Sequence, residues 1–280
     1  MRARRISLVP LTLVVFATVA LYAAPVASMV RQWFDDSATA HGILLTGAAA
    51  FVLRRTSRTL PAAKPHNAGF AVIAFALLIY IVGTLLGDVF VLRLSLPILL
   101  AGFVATFFGL EHLRRLFAPL ALLVLAVPLP TVLVTDLTLP LQLTASRVAA
   151  VTLAASGIHV VRDGNLLTLP TITLEVAEAC NGLRSIVSLI AVAAVCAAVI
   201  PLNWWRSAVT IIAAVPIAIV GNGLRVAATG VLATWFGDAA ARGSIHELTG
   251  LVAFLVMCAA TFALLFVTRM RTVPWARQHR

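Results

Sequence analysis

Three residues of this chain have side chains suited to chemistry, and each stands in a short polar segment beside an apolar run. Cys180 lies in EACNGLRS, Arg225 in GNGLRV and His246 in IHELTG. A cysteine attacks as its thiolate, which is populated beside a helix N-terminus, an arginine or a histidine. These residue types predict attack of a thiolate on a peptide carbonyl, provided that the fold brings the three segments together.

The other two residue types fit the remaining steps of such a reaction. The imidazole of His246, with an unperturbed pKa of about 6.5, is suited to take the thiol proton and to deliver it to the departing amine. A guanidinium group, always protonated, stabilises an oxyanion through charge-assisted hydrogen bonds. Arg225 and Arg184 compete for this role, because Arg184 follows Cys180 by four residues and shares its face if the helix already includes the cysteine.

The candidate substrate-binding residues are Arg184, Glu178 and Asn222. Asn222 either forms a hydrogen bond across the site or packs between helices, since Gly221 and Gly223 flank it and small residues permit close helix approach. Glu178 either holds an arginine or is a solvated loop acid.

The cysteine pattern argues against a metal site or a disulfide framework. The chain has 3 cysteines, without the spacing of either kind of site. Cys196 and Cys258 lie inside apolar runs, where a cysteine usually packs as a small hydrophobic residue. We therefore expect neither a metal nor a cofactor, and we assign the chemistry to Cys180.

The composition identifies the environment of these residues as a membrane. Hydrophobic residues make up 61% of the 280 residues and charged residues 11%, and the mean hydropathy is +1.05. An ordinary soluble domain has about 25% charged residues. The net charge of +11 does not indicate a nucleic-acid partner, because the basic residues are spread over separate loops instead of forming one stripe.

The apolar runs predict an all-α polytopic membrane protein that forms one domain over residues 1–280. A crossing needs about 20 residues of helix. The predicted spans are residues 7–30, 38–53, 69–87, 90–110, 116–135, 183–200, 207–225 and 247–268. The segment 137–156 carries Pro140, Gln142, Ser146 and Arg147, which are costly in a lipid-facing crossing, and is predicted to be interfacial or partly buried.

The basic residues also predict an orientation, because arginine and lysine concentrate in short cytoplasmic loops. Eight crossings with both ends inside place 14 of the 21 basic residues in the cytoplasm. The predicted location is therefore the plasma membrane (the inner membrane of a two-membrane cell). The basic and apolar N-terminus resembles a signal peptide, but its long apolar part predicts a retained first helix.

The segment 157–179 predicts a small extracytoplasmic β-hairpin that leads into Cys180. Its Asp163-Gly164 pair lies between the runs IHVVR and NLLTLP, a pattern typical of a hairpin turn. The following helices predict convergence, since 18 residues from Ser207 to Arg225 rise about 27 Å and return the chain to the depth of Cys180. The last helix begins near His246 on the same membrane face.

The segments EACNGLRS, GNGLRV and IHELTG, in this order and spacing, resemble the three-motif signature of the exosortases, membrane relatives of the archaeosortases. The resemblance includes the hairpin segment and the early loop WFDDSATAHG, where His41 resembles a family position. Asn181 departs from the family, in which serine is common at that position. No soluble domain is expected after the last helix.

The resemblance implies a cysteine transpeptidase or protease with Cys180, Arg225 and His246 as its catalytic set. It also implies partners, namely membrane-anchored proteins whose C-terminal sorting signal consists of a short PEP-like motif, a transmembrane helix and an arginine-rich tail. Two other classes stay open. A transporter would place ionisable residues along a pathway through the bilayer, and a scaffold that binds a partner helix would not require Cys180 or His246.

Overall fold

The fold is mostly helical and is described from a computed structural model. The structure describes the backbone of residues 8–176, 182–200, 202–237 and 244–270, and the side chains of all of these except residues 8–11, 244–246 and 270. The helices are α1 Leu8–Asp35, α2 His41–Ser57, α3 Ala68–Leu86, α4 Val89–Phe107, α5 Leu110–Arg115, α6 Phe117–Leu125, α7 Thr131–Ala155, α8 Leu183–Val199, α9 Trp204–Phe236 and α10 Ser244–Met270. The strands are β1 Val161–Asp163, β2 Leu166–Thr168 and β3 Thr173–Glu175.

Six helices of the described residues are long and apolar enough to cross a membrane, compared with the eight spans predicted. They are Thr12–Asp35, Ala68–Leu86, Val89–Phe107, Thr131–Ala155, Trp204–Phe236 and Glu247–Arg269. The predicted span 183–200 corresponds to the shorter apolar helix Leu183–Val199. The predicted span 38–53 corresponds to α2, whose 17 residues include Arg54 and Arg55 in the last turn. The count of eight is therefore not confirmed.

The predicted span 116–135 is interrupted, because the chain leaves the helical conformation between Leu125 and Thr131. The intervening sequence, AVPLP, contains two prolines, and a proline disfavours the helical conformation in the residue before it. The indole N–H of Trp33 donates a hydrogen bond of 3.2 Å to the carbonyl oxygen of Ala126. Such a bond matters in a membrane, where a broken helix must find other partners for its backbone groups.

The segment 137–156, predicted to be interfacial or partly buried, belongs to the continuous helix α7 up to Ala155, and this helix is long and apolar enough to cross a membrane. Its polar residues do not prevent this, because Gln142 and Ser146 are buried in the protein, at 6% and 0% exposure. The hydroxyl of Ser146 donates to the carbonyl oxygen of Gly164 at 2.8 Å. The sequence reveals that these residues are polar but not which face of the helix meets protein.

The contacts of the chain group into two compact units, Met1–Leu129 and Pro130–Arg280, and the single domain stays a prediction. In the first unit, α1 and α4 are joined by polar contacts. The Tyr22 hydroxyl lies 2.6 Å from that of Ser95, and the Arg93 guanidinium donates to Gln32 at 2.7 Å and to Ser28 at 3.1 Å.

The second unit contains a three-stranded antiparallel sheet in the order β1-β2-β3, one strand more than the predicted hairpin. Asp163 pairs with Leu166, so the two-residue turn is Gly164-Asn165, one residue beyond the predicted pair. Gly164 adopts φ 60°, the left-handed conformation that a glycine accepts without steric cost. The predicted hairpin is thus confirmed, with its turn displaced by one position.

The sheet rests on the helices that carry the predicted site. Leu167, Leu174 and Val176 are buried in one apolar cluster with residues of α7 and α9, including Ala149 and Val226. The strand that leads towards Cys180 is therefore fixed to the helix bundle as far as Val176, whose backbone N–H also donates to the carbonyl oxygen of Asn165 at 2.9 Å.

Candidate functional site

The centre of the candidate site is the GNGLR segment of α9, where two glycines bring neighbouring helices into close contact. A Cβ built on Gly221 would overlap Cγ of Met257 in α10. One built on Gly223 would lie 2.5 Å from Cβ of Val148 in α7. Neither contact leaves room for a side chain. The structure thus agrees with the interpretation that these glycines permit close packing, and it shows which helix each of them faces.

Asn222, between these glycines, lies against the beginning of α8. It is 1% exposed, and a Cβ built on Gly182 would lie 2.9 Å from its Nδ2 atom. Gly182 precedes α8 with φ 84°, in the left-handed region. Glycine is required here for two reasons, the backbone conformation and the closeness of the Asn222 amide. The contact joins the second polar segment of the sequence to the first.

Arg225 lies one turn further along α9 and contacts the last helix. A Cβ built on Gly250 would lie 3.1 Å from Nη2, 3.2 Å from Cζ and 3.3 Å from Nε of the Arg225 guanidinium. Gly250 follows His246 by four residues in α10, so both lie on the same face of that helix. The contact joins the second polar segment to the third.

α9 therefore brings together residues from all three segments that the sequence singled out. Asn222 and Arg225 are three residues apart, about 4.5 Å along the helix axis. The first contacts Gly182 of the EACNGLRS segment, and the second contacts Gly250, which follows the histidine of IHELTG. The predicted convergence of these segments agrees with the described contacts.

Two predicted residues, Cys180 and Glu178, lie outside the described residues. The backbone of His246 belongs to the first turn of α10, whereas its side chain is not described. The catalytic assignment of Cys180, Arg225 and His246 stays a prediction.

The competing arginine, Arg184, is the second residue of α8 and is exposed. Arg184 was predicted to share a helix face with Cys180, provided that the helix already contained Cys180. α8 begins at Leu183, so the i, i+4 argument has no support from the described part of the chain. Arg225 is only partly exposed and lies against a neighbouring helix, which makes it the better placed of the two for a fixed role.

The early loop of the sequence, in the first unit, is also packed through a glycine that lies against a neighbouring side chain. A Cβ built on Gly42 would overlap the Trp33 ring. Nδ1 of His41 lies 3.1 Å from the carbonyl oxygen of Ala38, and the Asp36 carboxylate accepts a hydrogen bond of 2.8 Å from the backbone N–H of Ala38. The WFDDSATAHG loop is thus an ordered turn between α1 and α2.

The comparison with known protein families covers all of these segments. The family described as Transmembrane exosortase matches residues 33–263, from Trp33 to within α10. The chain belongs to the transmembrane exosortase family. The match confirms the resemblance inferred from the three polar segments, and it identifies the packed loop, the sheet and α7 to α10 as parts of an exosortase. No curated protein and no solved structure matches the chain.

Sequence reasoning missed the residues that form the contacts between these three segments. Gly182 and Gly250 lie within the segments EACNGLRS and IHELTG, where residue type alone predicts no role for them, although Gly250 stands one helical turn after His246. That spacing is the one signal in the sequence that connects it to the site. The hydrogen bond from Ser146 to Gly164, which fixes the sheet to α7, was also missed, because the residues lie 18 positions apart and no pattern links them.

Proposed function

We propose that the chain is a membrane cysteine peptidase or transpeptidase. Its proposed substrates are exported proteins that end in a short PEP-like motif, a transmembrane helix and an arginine-rich tail. Family membership supports an exosortase-type function in the membrane. The cleavage of this particular signal, and the residues that carry it out, are our proposal.

In the proposed reaction, the Cys180 thiolate attacks the carbonyl carbon of the scissile peptide bond. The His246 imidazole holds the proton taken from the thiol and gives it to the leaving amine as the C–N bond breaks. The product is a thioester on Cys180 and a free amine on the released helix and tail. Water or an acceptor amine then attacks the thioester, and the thiol is regenerated.

Arg225 would stabilise the oxyanion that forms on the carbonyl in both halves of the reaction. The contact between its guanidinium and Gly250 is the observation that carries the proposal. It places the arginine beside the helix that bears His246, and Asn222 of the same segment lies against Gly182. Cys180 precedes Gly182 by two positions, which span at most about 7 Å of chain.

The proposed substrate-binding residues are Asn222, Arg184 and Glu178. The buried Asn222 is in our proposal a positioning residue that holds the beginning of α8, in agreement with its contact with Gly182. Arg184 is exposed at the first turn of α8 and is suited to bind an acidic group of the substrate or Glu178.

The decisive test of the proposed function compares cysteines in membranes that contain a co-expressed substrate. We expect Cys180→Ala and His246→Ala each to abolish processing or slow it severely at unchanged enzyme level. Cys196→Ala and Cys258→Ala are the matched controls, since both are partly buried thiols in apolar helices, and they should leave processing largely intact. Processing that survives Cys180→Ala would instead indicate a scaffold or another class of membrane protein.

The proposed site faces the extracytoplasmic side of the plasma membrane. Asp163→Cys in a background with the native cysteines replaced tests this orientation, because residue 163 lies on the exposed strand β1. We expect a membrane-impermeant thiol reagent to label it in intact cells. Protection of this cysteine until the membrane is permeabilised would show the opposite orientation.

A further inference from the structure

The strand β3 has one edge that no other strand of the described residues covers. The sheet order is β1-β2-β3, so β3 pairs only with β2. Directly after β3, the backbone N–H of Val176 donates to the carbonyl oxygen of Asn165 at 2.9 Å. Hydrogen-bonded pairs alternate with non-bonded pairs along an antiparallel ladder. Two positions away, Leu174 is therefore the residue of β3 whose backbone groups point towards β2, where its partner is Leu167.

Thr173 and Glu175, on either side of Leu174, turn their backbone N–H and C=O groups away from β2. Within the described part of the chain, these outward groups form no hydrogen bond. Both residues are exposed, whereas Leu174 between them is buried. An exposed edge with unpaired backbone groups is a template for another extended chain, because main-chain hydrogen bonds then continue the sheet. The geometry of β3 favours an extended polypeptide as its ligand.

The free edge of β3 comes just before the proposed nucleophile in the chain. Cys180 follows Glu175 by five positions, which span at most about 18 Å. Val176 is 1% exposed and belongs to the apolar cluster with α7 and α9, so the edge has a fixed position. An extended chain paired with β3 can therefore reach the thiol within about five of its own residues. The opposite edge strand, β1, lies two strand spacings from β3, about 10 Å.

The exposed face of the sheet also limits which residue lies beside β3. Asp163, Leu166 and Glu175 form one row across the three strands, and both acids are exposed. Like charges directly opposite each other destabilise a sheet, so the next residue in this row should not be acidic. We propose that β3 binds the substrate segment before the scissile bond as a fourth strand, with a non-acidic residue beside Glu175. This inference rests on the proposed peptidase function and specifies how its substrate is held.

The first test measures disulfide crosslinking between the chain and a co-expressed exported protein that carries the proposed sorting signal. Glu175→Cys is combined with alanine at all three native cysteines, so that the chain binds this substrate without cleaving it. Single cysteines are placed in turn at successive substrate positions before its membrane helix. We expect crosslinks at every second position, because the side chains of a strand alternate between the two faces of a sheet.

Asp163→Cys in the same background is the matched control. Residue 163 lies in the same row and on the same face as Glu175, but on the opposite edge strand, so we expect little crosslinking from it. Equal crosslinking from both variants, crosslinks without alternation, or none at all would overturn the proposal. Cleavage that depends on Cys180 would then still support the proposed function. A wild-type chain that leaves the substrate uncleaved would refute the proposed function itself.

The second test removes one outward hydrogen-bond donor. Proline is tolerated on an edge strand where its missing N–H would face solvent, so Glu175→Pro removes the outward N–H and leaves the ladder with β2 in place. The lost hydrogen bond should raise the substrate level needed for half-maximal cleavage about three- to tenfold. Glu175→Gln keeps the N–H and should show little change. Unchanged cleavage by Glu175→Pro would overturn the proposal, and crosslinking decides the question if this variant fails to fold.

The third test concerns the charge beside Glu175. At the substrate position that crosslinks most strongly, a glutamate should slow cleavage relative to a lysine about two- to fivefold. The reverse order, or equal rates, would refute the preference for a non-acidic residue.

Discussion

Gly250→Ala tests the contact on which the proposed catalytic geometry depends. The added Cβ would lie 3.1 to 3.3 Å from three atoms of the Arg225 guanidinium, so the arginine must move by a few tenths of an ångström. A misplacement of about 1 Å in a catalytic group costs about 10²-fold in rate. We therefore expect the initial rate of substrate cleavage, in membranes matched for enzyme level, to fall about three- to tenfold. Gly250→Leu should cost about 10²-fold or more.

Stability should change in the opposite direction to activity in this variant. Glycine is about 0.5–1 kcal/mol less favourable than alanine inside a helix, so Gly250→Ala should unfold in detergent at an unchanged or higher temperature. Gly47→Ala is the matched control, because Gly47 lies within α2 and its added Cβ meets nothing within 4 Å. It should gain stability without losing activity. Full activity in both Gly250→Ala and Gly250→Leu would refute the role of Arg225.

Three further predictions concern the same unit. Arg225→Lys should reduce the cleavage rate about 10²-fold, because lysine lacks the planar fork of a guanidinium. Arg184→Lys should reduce it less, and the reverse order would show that Arg225 is not the oxyanion stabiliser. Gly182→Ala should destabilise the chain more than Gly157→Ala, because both have positive φ but only the first Cβ meets a side chain, and equal unfolding temperatures would contradict this. Ser146→Ala should cost about 0.5–1.5 kcal/mol of the free energy of unfolding, measured in detergent, because the hydrogen bond to Gly164 is lost while the Gly164 carbonyl oxygen keeps the one from Arg162.

The sequence predicted the parts of the fold that depend on local pattern. The long apolar runs became helices, and the turn residues beside Gly164 became a hairpin. Two features depended on tertiary contacts and were not predicted. α7 accommodates Gln142 and Ser146 because protein covers them, and the break after Leu125 is matched by the Trp33 side chain from a distant helix. Periodicity cannot identify the partner that makes either arrangement favourable.

The candidate site also combines residues that can be predicted from residue type with residues that only tertiary contacts reveal. Polar residues beside apolar helices stand out in the sequence, so residue type and order were enough to predict Cys180, Arg225 and His246 as the catalytic set. The glycines that lie against Asn222 and Arg225 carry no chemistry of their own. Gly182 and Gly250 become meaningful only through the side chains of Asn222 and Arg225 that lie against them.

The position of Arg225 along α9 bears on its role. Trp204 is 82% exposed at the start of this helix, and tryptophan is typical of membrane interfaces. Arg225 follows Trp204 by 225 − 204 = 21 residues, about 32 Å along the axis, which is close to the roughly 30 Å of a hydrocarbon core. A simple helix-end arginine at that level would extend towards water, whereas the Arg225 guanidinium lies against Gly250 of α10. This packing against a neighbouring helix favours a functional role for Arg225 over that of a simple helix-end residue.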